Sequence, residues 1–406
     1  MTVGGEPDLL TEDELAERAD ASVAQVRGLV ELGILEPREG GFERRDLARA
    51  RVVLHLQTMG IEPAALAQAI HSGHLRLGYF ESAGRRFPRA DRTFRDIADK
   101  IGIAFEGLER IYVAFGLPRP EPDERVREED LEAIRILPVM FAAGLDETDV
   151  LRMARVWGDS ARRVAQYLPH YFHTTIEPRF RAQGLGDNEA FEAAIRQVGL
   201  RTGRSGENLL GWLFRRHSEG FMNEHQFEHV EAALDEAGVR ERTAVSPEGI
   251  AFADLSGFTT LTEQGGDEAA VEMALALAQL VGDAAARHRG MTVKLLGDGA
   301  LLHFADPGDA VRASLDIVDE APARGLPPAH VGVNAGPLLF DQGDYFGRTI
   351  NVASRIVGLA KPGQVLVGEA LAGAVSEAGF RLADIGTFEV KGVAAPIRIF
   401  EASRDR

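Results

Sequence analysis

The segments Gly249–Thr259, GIAFADLSGFT, and Met291–Ala305, MTVKLLGDGALLHFA, decide how the chain is read. In the first, an apolar run ends on Asp254 and passes through Leu-Ser-Gly toward a helix; in the second, two apolar runs are joined by Gly297-Asp298-Gly299. A short apolar run bounded by turn residues predicts a strand, and Gly-Asp-Gly between two such runs predicts a hairpin. Both segments therefore carry an aspartate at a strand end. Two carboxylates converging there make a candidate site for a pair of hard divalent cations, because Mg²⁺ takes oxygen ligands and keeps positions open for substrate phosphates. Taken singly, Asp254 is also an ordinary helix N-cap and Asp298 an ordinary turn residue.

Outward from these segments, strands and helices alternate. A helix is expected over residues 267–288, another over 307–321, a strand over 329–336, a helix over 349–360 and a strand over 364–370, with closing strands near 380–390 and 396–402. This order predicts an α+β domain over residues 247–402. Upstream, the pattern changes. Leu15-Ala16, Leu32-Gly33-Ile34, Asp46-Leu47 and Gly60 recur as Ile97-Ala98, Phe115-Gly116-Leu117, Asp130-Leu131 and Gly144, an offset that drifts only from 82 to 84 residues. Such a repeat predicts two copies of one local fold within residues 1–145. Each copy reads as a helix, a turn, a second helix closing at Gly, a charged hairpin or wing and a further helix, which resembles the winged-helix arrangement of MerR-type regulators. Residues 146–240 are helix-rich with three- and four-residue apolar spacing, predicting a helical bundle and a linker helix, with the domain boundary at about 240–247. The expected architecture is multidomain: an all-α N-terminal region of winged-helix-like repeats, then an α+β, ferredoxin-like domain.

Composition narrows the function. The 406 residues carry a formal charge of −18, which opposes loose binding to nucleic acid because phosphate neutralisation needs Lys and Arg. Cysteine is absent, so thiol catalysis, disulfides and Cys-held metals are excluded, and any metal must be held by carboxylate or histidine. The acidic start lacks the basic and apolar regions of a signal peptide, and no uninterrupted apolar run approaches the roughly 18 residues of a membrane span. A soluble, cytoplasmic protein without a transmembrane segment is expected.

Four segments, FADLSGFT at 252–259, VKLLGDG at 293–299, GDYFGRTINVASR at 343–355 and VKG at 390–392, resemble in order and spacing the motifs of class III nucleotide cyclases. The resemblance implies that Asp254 and Asp298, with the Leu255 carbonyl, hold two Mg²⁺ or Mn²⁺ ions per active site. It also implies that Lys294 and Asp344 read the adenine edge, that Asn351 orients the ribose, that Arg355 stabilises the transition state and that Lys391 contacts the triphosphate. An Asp acceptor with a Lys donor suits adenine's amino group and ring nitrogen, whereas guanylyl cyclases carry Glu and a small polar residue at these positions, so the pair favours ATP. The family builds its sites between two catalytic domains, and a chain with both residue sets implies a C₂ homodimer. Independently of the family, Asn351 and Arg355 lie four apart on one helix face. A guanidinium, planar and always charged, suits charge developing on an α-phosphate. The turn at Gly257, Phe258 and Thr259 enters a helix whose first amides can cradle the β- and γ-phosphates.

The expected activity is that of an adenylyl cyclase, forming 3′,5′-cyclic AMP and pyrophosphate from ATP, with the N-terminal half regulating it as in actinobacterial soluble cyclases. The competing reading is a DNA-binding regulator with a nucleotide-sensing cyclase-like domain, but the second helix, Ser22–Gly33, carries a single Arg where a reading helix presents several polar side chains. The apolar helices can also enclose a hydrophobic regulatory ligand, although such faces ordinarily serve as core. His170, His173, His217, His225 and His229 cluster on the helices leading into the catalytic domain, and their protonation at mildly acidic pH is a candidate regulatory signal; solvated helix histidines are the plainer alternative.

Overall fold

The computed structural model describes residues 9–75, 89–239, 247–375, 379–389 and 395–405. The chain divides into two compact units, Met1–Phe221 and Met222–Arg406.

In the first unit, local sequence sets the helix starts. Thr11 caps α1 (Glu12–Ala19) with Glu14 reaching back to its amide, and Ser22 with Gln25 does the same for α2 (Val23–Glu31). Each capping box satisfies two amides that the first turn leaves without partners. Antiparallel bridges Leu10–Phe42 and Arg38–Gly41 follow the helix pair, then α3 (Arg44–Thr58) and α4 (Pro63–His71). Leu15, Val26, Leu29, Ile34 and Val53 form the buried core of this copy.

The second copy repeats the order around its own core of Phe94, Ile97, Leu108, Ile111 and Leu137. Strand β1 (Arg89–Thr93) precedes α5 (Phe94–Ile101) and α6 (Phe105–Ala114), and β2 (Arg125–Arg127) precedes α7 (Glu128–Ile134) and α8 (Ile136–Ala142). Because β1 pairs with β2 as an antiparallel ladder, this region is helical but not all-α.

Beyond it run α9 (Glu147–Tyr171), α10 (Glu177–Arg181), α11 (Asp187–Ala194) and α12 (Leu200–Glu236), with π-helical turns at Phe172–Ile176 and Ile195–Gly199. A small buried cluster of Ile176, Phe180, Ala190, Ala193 and Ala194 sits among them. The long helices α9 and α12 leave Trp157, Tyr167, Leu168, Leu209, Trp212 and Phe214 exposed. The division between the two units falls inside α12, upstream of the polar stretch that follows it.

The second unit is built on a seven-stranded sheet in the order β10-β11-β9-β6-β3-β5-β4. Its strands are β3 (Glu248–Leu255), β4 (Gly290–Leu295), β5 (Gly299–Phe304), β6 (Ala329–Gly336), β9 (Val365–Gly368), β10 (Phe380–Phe388) and β11 (Ile397–Arg404); β7 (Leu339–Asp341) and β8 (Asp344–Phe346) form a separate two-stranded hairpin. The helices are α13 (Phe258–Arg287, bent at Gly266), α14 (Pro307–Glu320), α15 (Arg348–Val357) and α16 (Glu369–Ala372). The β3-α13-β4-β5-α14-β6 run with neighbours β6-β3-β5-β4 is the βαββαβ ferredoxin-like pattern, here extended by three strands.

The period-two alternation of β3 divides the core between the faces of the sheet. Ala251, Ala253 and Leu255 pack with Leu277, Leu280 and Val281 of α13 and Val311 and Ile317 of α14. Ile250 and Phe252 pack on the other face with Leu301, Ile350 and Ala353. There α15 lies so close to β6 that a Cβ at Gly332 would sit 2.2 Å from the Val357 amide nitrogen. Among the described residues, one helical stretch, Glu268–Arg287, is long and apolar enough to cross a bilayer by length and composition. Its Leu277, Leu280, Val281, Ala284 and Ala285 are buried in the sheet's core.

Candidate active site

Asp254 shares the alternating face of Ile250 and Phe252, at the exit of β3. Antiparallel register sets it opposite Gly299 of β5 on one side and His330 of β6 on the other. The Leu255 amide donates to the Asp298 carbonyl at 3.1 Å, which ties the end of β3 to the Gly-Asp-Gly turn. The two strand-end carboxylates therefore share one locality. Burial pushes the Asp254 carboxyl above its ordinary range, and the Asp298 charge pushes it further, while His330 and the Leu255 amide pull the other way. Like charges held together in a half-buried place are a donor set in want of a cation. Among the described residues no group of three or more His, Asp or Glu side chains gathers as a metal nest. Two carboxylates, a neighbouring main-chain carbonyl and open positions fit a hard cation that shares its coordination shell with a substrate.

Lys294, near the end of β4, donates to the Asp344 carboxylate at 2.5 Å. Asp344 opens β8, and its other oxygen accepts the amide N–H of Tyr345 at 2.9 Å. Residues 50 positions apart thus present one cation and one carboxylate side by side, both partly exposed. On α15, Val352, Ala353 and Ile356 are buried while Asn351 and Arg355 share the exposed face. The helix is fixed at its start by the Thr349 hydroxyl donating to the Pro337 carbonyl at 2.8 Å and by Asn334 donating to the Thr349 carbonyl at 3.3 Å. Helix α13 begins at Phe258, directly after Gly257, so its first amides open beside Asp254 in sequence. The chain thus forms the carboxylate pair and the Lys–Asp pair, and holds Asn351 and Arg355 out to solvent.

Against known families, residues 41–203 match the adenylate cyclase regulatory domain and residues 328–400 match the adenylate and guanylate cyclase catalytic domain. Both matched segments thus resemble adenylate cyclases, one in the regulatory part and one in the catalytic part. It is 28% identical over 412 residues to the pH-sensitive adenylate cyclase MT1302 of Mycobacterium tuberculosis, covering 97% of this chain and 94% of that protein. It is 29% identical to an adenylate cyclase of Streptomyces coelicolor, over 68% of this chain and 69% of the relative. Among solved structures, the adenylyl cyclase CyaB of P. aeruginosa aligns with 39% of this chain and 94% of its own at 22% identity, with a TM-score of 0.36.

Beside the carboxylates, His330 carried no motif signal. His330 lies 3.4 Å through Nε2 from the Asp254 carboxylate, and its Nδ1 is 3.0 Å from the Ser256 hydroxyl. A polar residue near the start of the mostly apolar strand AHVGVNAG was the trace of it in the sequence. Lys391 lies outside the described residues. Of the candidate regulatory histidines, all five are exposed. His173 is hydrogen-bonded to the buried Glu177 at 3.1 Å, and Glu177 also accepts from Arg181 at 2.9 Å. His225 and His229, one turn apart on α12, meet through their Nε2 atoms at 3.1 Å.

Proposed function

We propose that this cyclase converts ATP to 3′,5′-cyclic AMP and pyrophosphate at two equivalent sites formed between two copies of the chain. The observation that carries the reading is the pairing of Asp254 with Asp298, where burial and then the neighbouring Asp298 charge raise the cost of ionising Asp254. Asp254, Asp298 and the Leu255 carbonyl are the groups to hold the cations. Two Mg²⁺ or Mn²⁺ ions, when bound, supply Lewis acidity that neutralises the phosphates and favours the ionised 3′-hydroxyl. The ribose 3′-oxygen attacks the α-phosphorus in line and pyrophosphate leaves, so charge grows on the attacking, non-bridging and leaving oxygens.

The remaining work falls to the chain's own side chains. Lys294 donates to a ring nitrogen of adenine and Asp344 accepts from its amino group, so the pair selects ATP over GTP. Asn351 orients the ribose, and the Arg355 guanidinium binds the α-phosphate as its charge develops. The amides of Gly257, Phe258 and Thr259 cradle the β- and γ-phosphates, and Lys391 contacts the triphosphate. Arg355 and Asn351 point to solvent on α15, which is consistent with their serving a partner's carboxylates.

The N-terminal half, read as two winged-helix-like repeats followed by linker helices, is the regulatory part. Its relative of M. tuberculosis is named for pH sensitivity. In this chain the paired His225 and His229 are a reason to propose the same input. Two neutral imidazoles can share one N–H between them; two imidazolium rings cannot, and repel. A fall in pH favours activity only when the active arrangement binds those protons more tightly than the inhibited one. The deciding experiment incubates the full chain with ATP or GTP and Mg²⁺ or Mn²⁺ and measures both cyclic nucleotides and pyrophosphate. Metal-dependent cyclic AMP at a rate well above cyclic GMP is expected; equal rates would refute the base assignment, and absence of either product would refute the reaction.

A further inference from the structure

Hairpin β7–β8, which presents Asp344, is not part of the hydrogen-bonded ladder of the main sheet. It turns at Gln342 and Gly343, whose φ values of 50° and 78° are both left-handed, as a two-residue hairpin turn requires. A small ribbon of three residues a side has little stability of its own, so what anchors it decides where Asp344 points.

Among the described residues, two side-chain contacts tie β8 to the main sheet. One is the Lys294–Asp344 pair itself. The other is Tyr345 on His303 of β5: the rings stack with centroids 4.5 Å apart and planes 16° from parallel, and the Tyr345 hydroxyl lies 3.4 Å from His303 Nδ1. His303 is in turn hydrogen-bonded through Nε2 to Glu248 at the start of β3. With Nε2–H donating to Glu248, Nδ1 is the ring nitrogen that faces the tyrosine hydroxyl. Phe340, across the hairpin, lies 5.0 Å from the Tyr345 ring at a tilt of 60°. Burial raises the Tyr345 phenol above its ordinary pKa, and the carboxylates Glu248 and Glu224 add to it, so the hydroxyl stays neutral.

We propose that His303 and Tyr345 are positioning residues for base selection: the stacked rings hold the hairpin so that Asp344 stays in register with Lys294, although neither ring reads the base. The inference rests on the assignment of Lys294 and Asp344 as the base readers. Adenine binding must draw hydrogen bonds from both members of the Lys294–Asp344 pair, which weakens that anchor when selection occurs. The His303–Tyr345 stack is independent of the ligand and persists. Helix α15, which carries Asn351 and Arg355, has its own anchors at Thr349, so loss of the stack disturbs recognition more than the chemical step.

The test measures kcat and KM for ATP and GTP on the full-length protein and on His303→Leu, Tyr345→Ala, Tyr345→Phe and Lys294→Ala. The first two are expected to raise KM for ATP by about tenfold and to cut the ATP-over-GTP preference in kcat/KM by about the same factor, with kcat for ATP changed by about twofold at most. Tyr345→Phe keeps the stacked ring and is expected to restore most of the preference. If His303→Leu does not fold, Tyr345→Leu removes the ring while retaining an apolar side chain and reads the same quantity. A wild-type preference in folded His303→Leu and Tyr345→Ala, alongside a lost preference in Lys294→Ala, would overturn the positioning role alone. An unchanged preference in Lys294→Ala would remove the base assignment, and this inference with it.

Discussion

The amide of Leu255 donates to the carbonyl of Asp298 at 3.1 Å, so the end of one strand and the turn between two others are locked together by the backbone. The side chains of Asp254 and Asp298 are thereby held near each other whatever their charges prefer. A site built this way stores unfavourable electrostatics that a divalent cation relieves.

That stored cost has a pH sign. The folded-state pKa of Asp254 is raised, chiefly by burial and then by Asp298, so the folded chain binds this proton more tightly than the unfolded chain. The contribution is stabilising below the unfolded carboxylate pKa and is lost as pH rises through the folded one, leaving the ionised group a penalty at pH 7. Asp254→Asn should therefore raise the melting temperature of the metal-free protein at pH 7, by about 1–2 °C because the side chain is 39% exposed and solvent screens it. The same variant should lose cyclic AMP formation. The variant's gain over wild type, measured as the difference in their melting temperatures, should shrink from pH 7 to pH 4 as Asp254 becomes protonated in the wild type.

Complementation reads the composite site. Asp298→Ala and Arg355→Ala should each be inactive alone. After subunit exchange in a one-to-one mixture, half the dimers are mixed and each has one intact site, so about a quarter of wild-type activity per chain should return. No recovery, with exchange verified by tagged copies, would mean that each chain builds its site alone.

Packing of α15 on the sheet is tested at Gly332. A Cβ there would meet the Val357 amide nitrogen at 2.2 Å and the Ala353 carbonyl at 2.8 Å, backbone atoms that cannot swing aside. Gly332→Ala should cost about 2 kcal/mol or more in urea unfolding and lower kcat by moving Arg355. Wild-type stability in this variant would mean that α15 shifts freely.

Regulation is tested by comparing pH–activity curves of the full chain and residues 222–406, the second compact unit. If the active arrangement binds protons on these histidines more tightly than a restrained one, full-chain activity should rise at mildly acidic pH relative to the shorter chain. Replacement of His170, His173, His217, His225 and His229 together should flatten that rise. Superimposable curves, or an undiminished rise after replacement, would discard the histidine switch and leave the cyclase intact.

Sequence by itself determined the local elements: the Thr11–Glu14 and Ser22–Gln25 caps, the alternation of β3, the Gly-Asp-Gly turn, and the spacing that sets Asn351 and Arg355 on one helix face. It also carried the motif order that marks the family, because those residues serve a fixed chemistry. Each of these signals spans a few residues, within reach of capping, periodicity and turn preference. Only the tertiary structure brought His330 opposite Asp254, set Tyr345 on His303 and paired β1 with β2. Strand register and ring stacking join residues such as His303 and Tyr345, 42 positions apart, and no local preference of either residue encodes its partner.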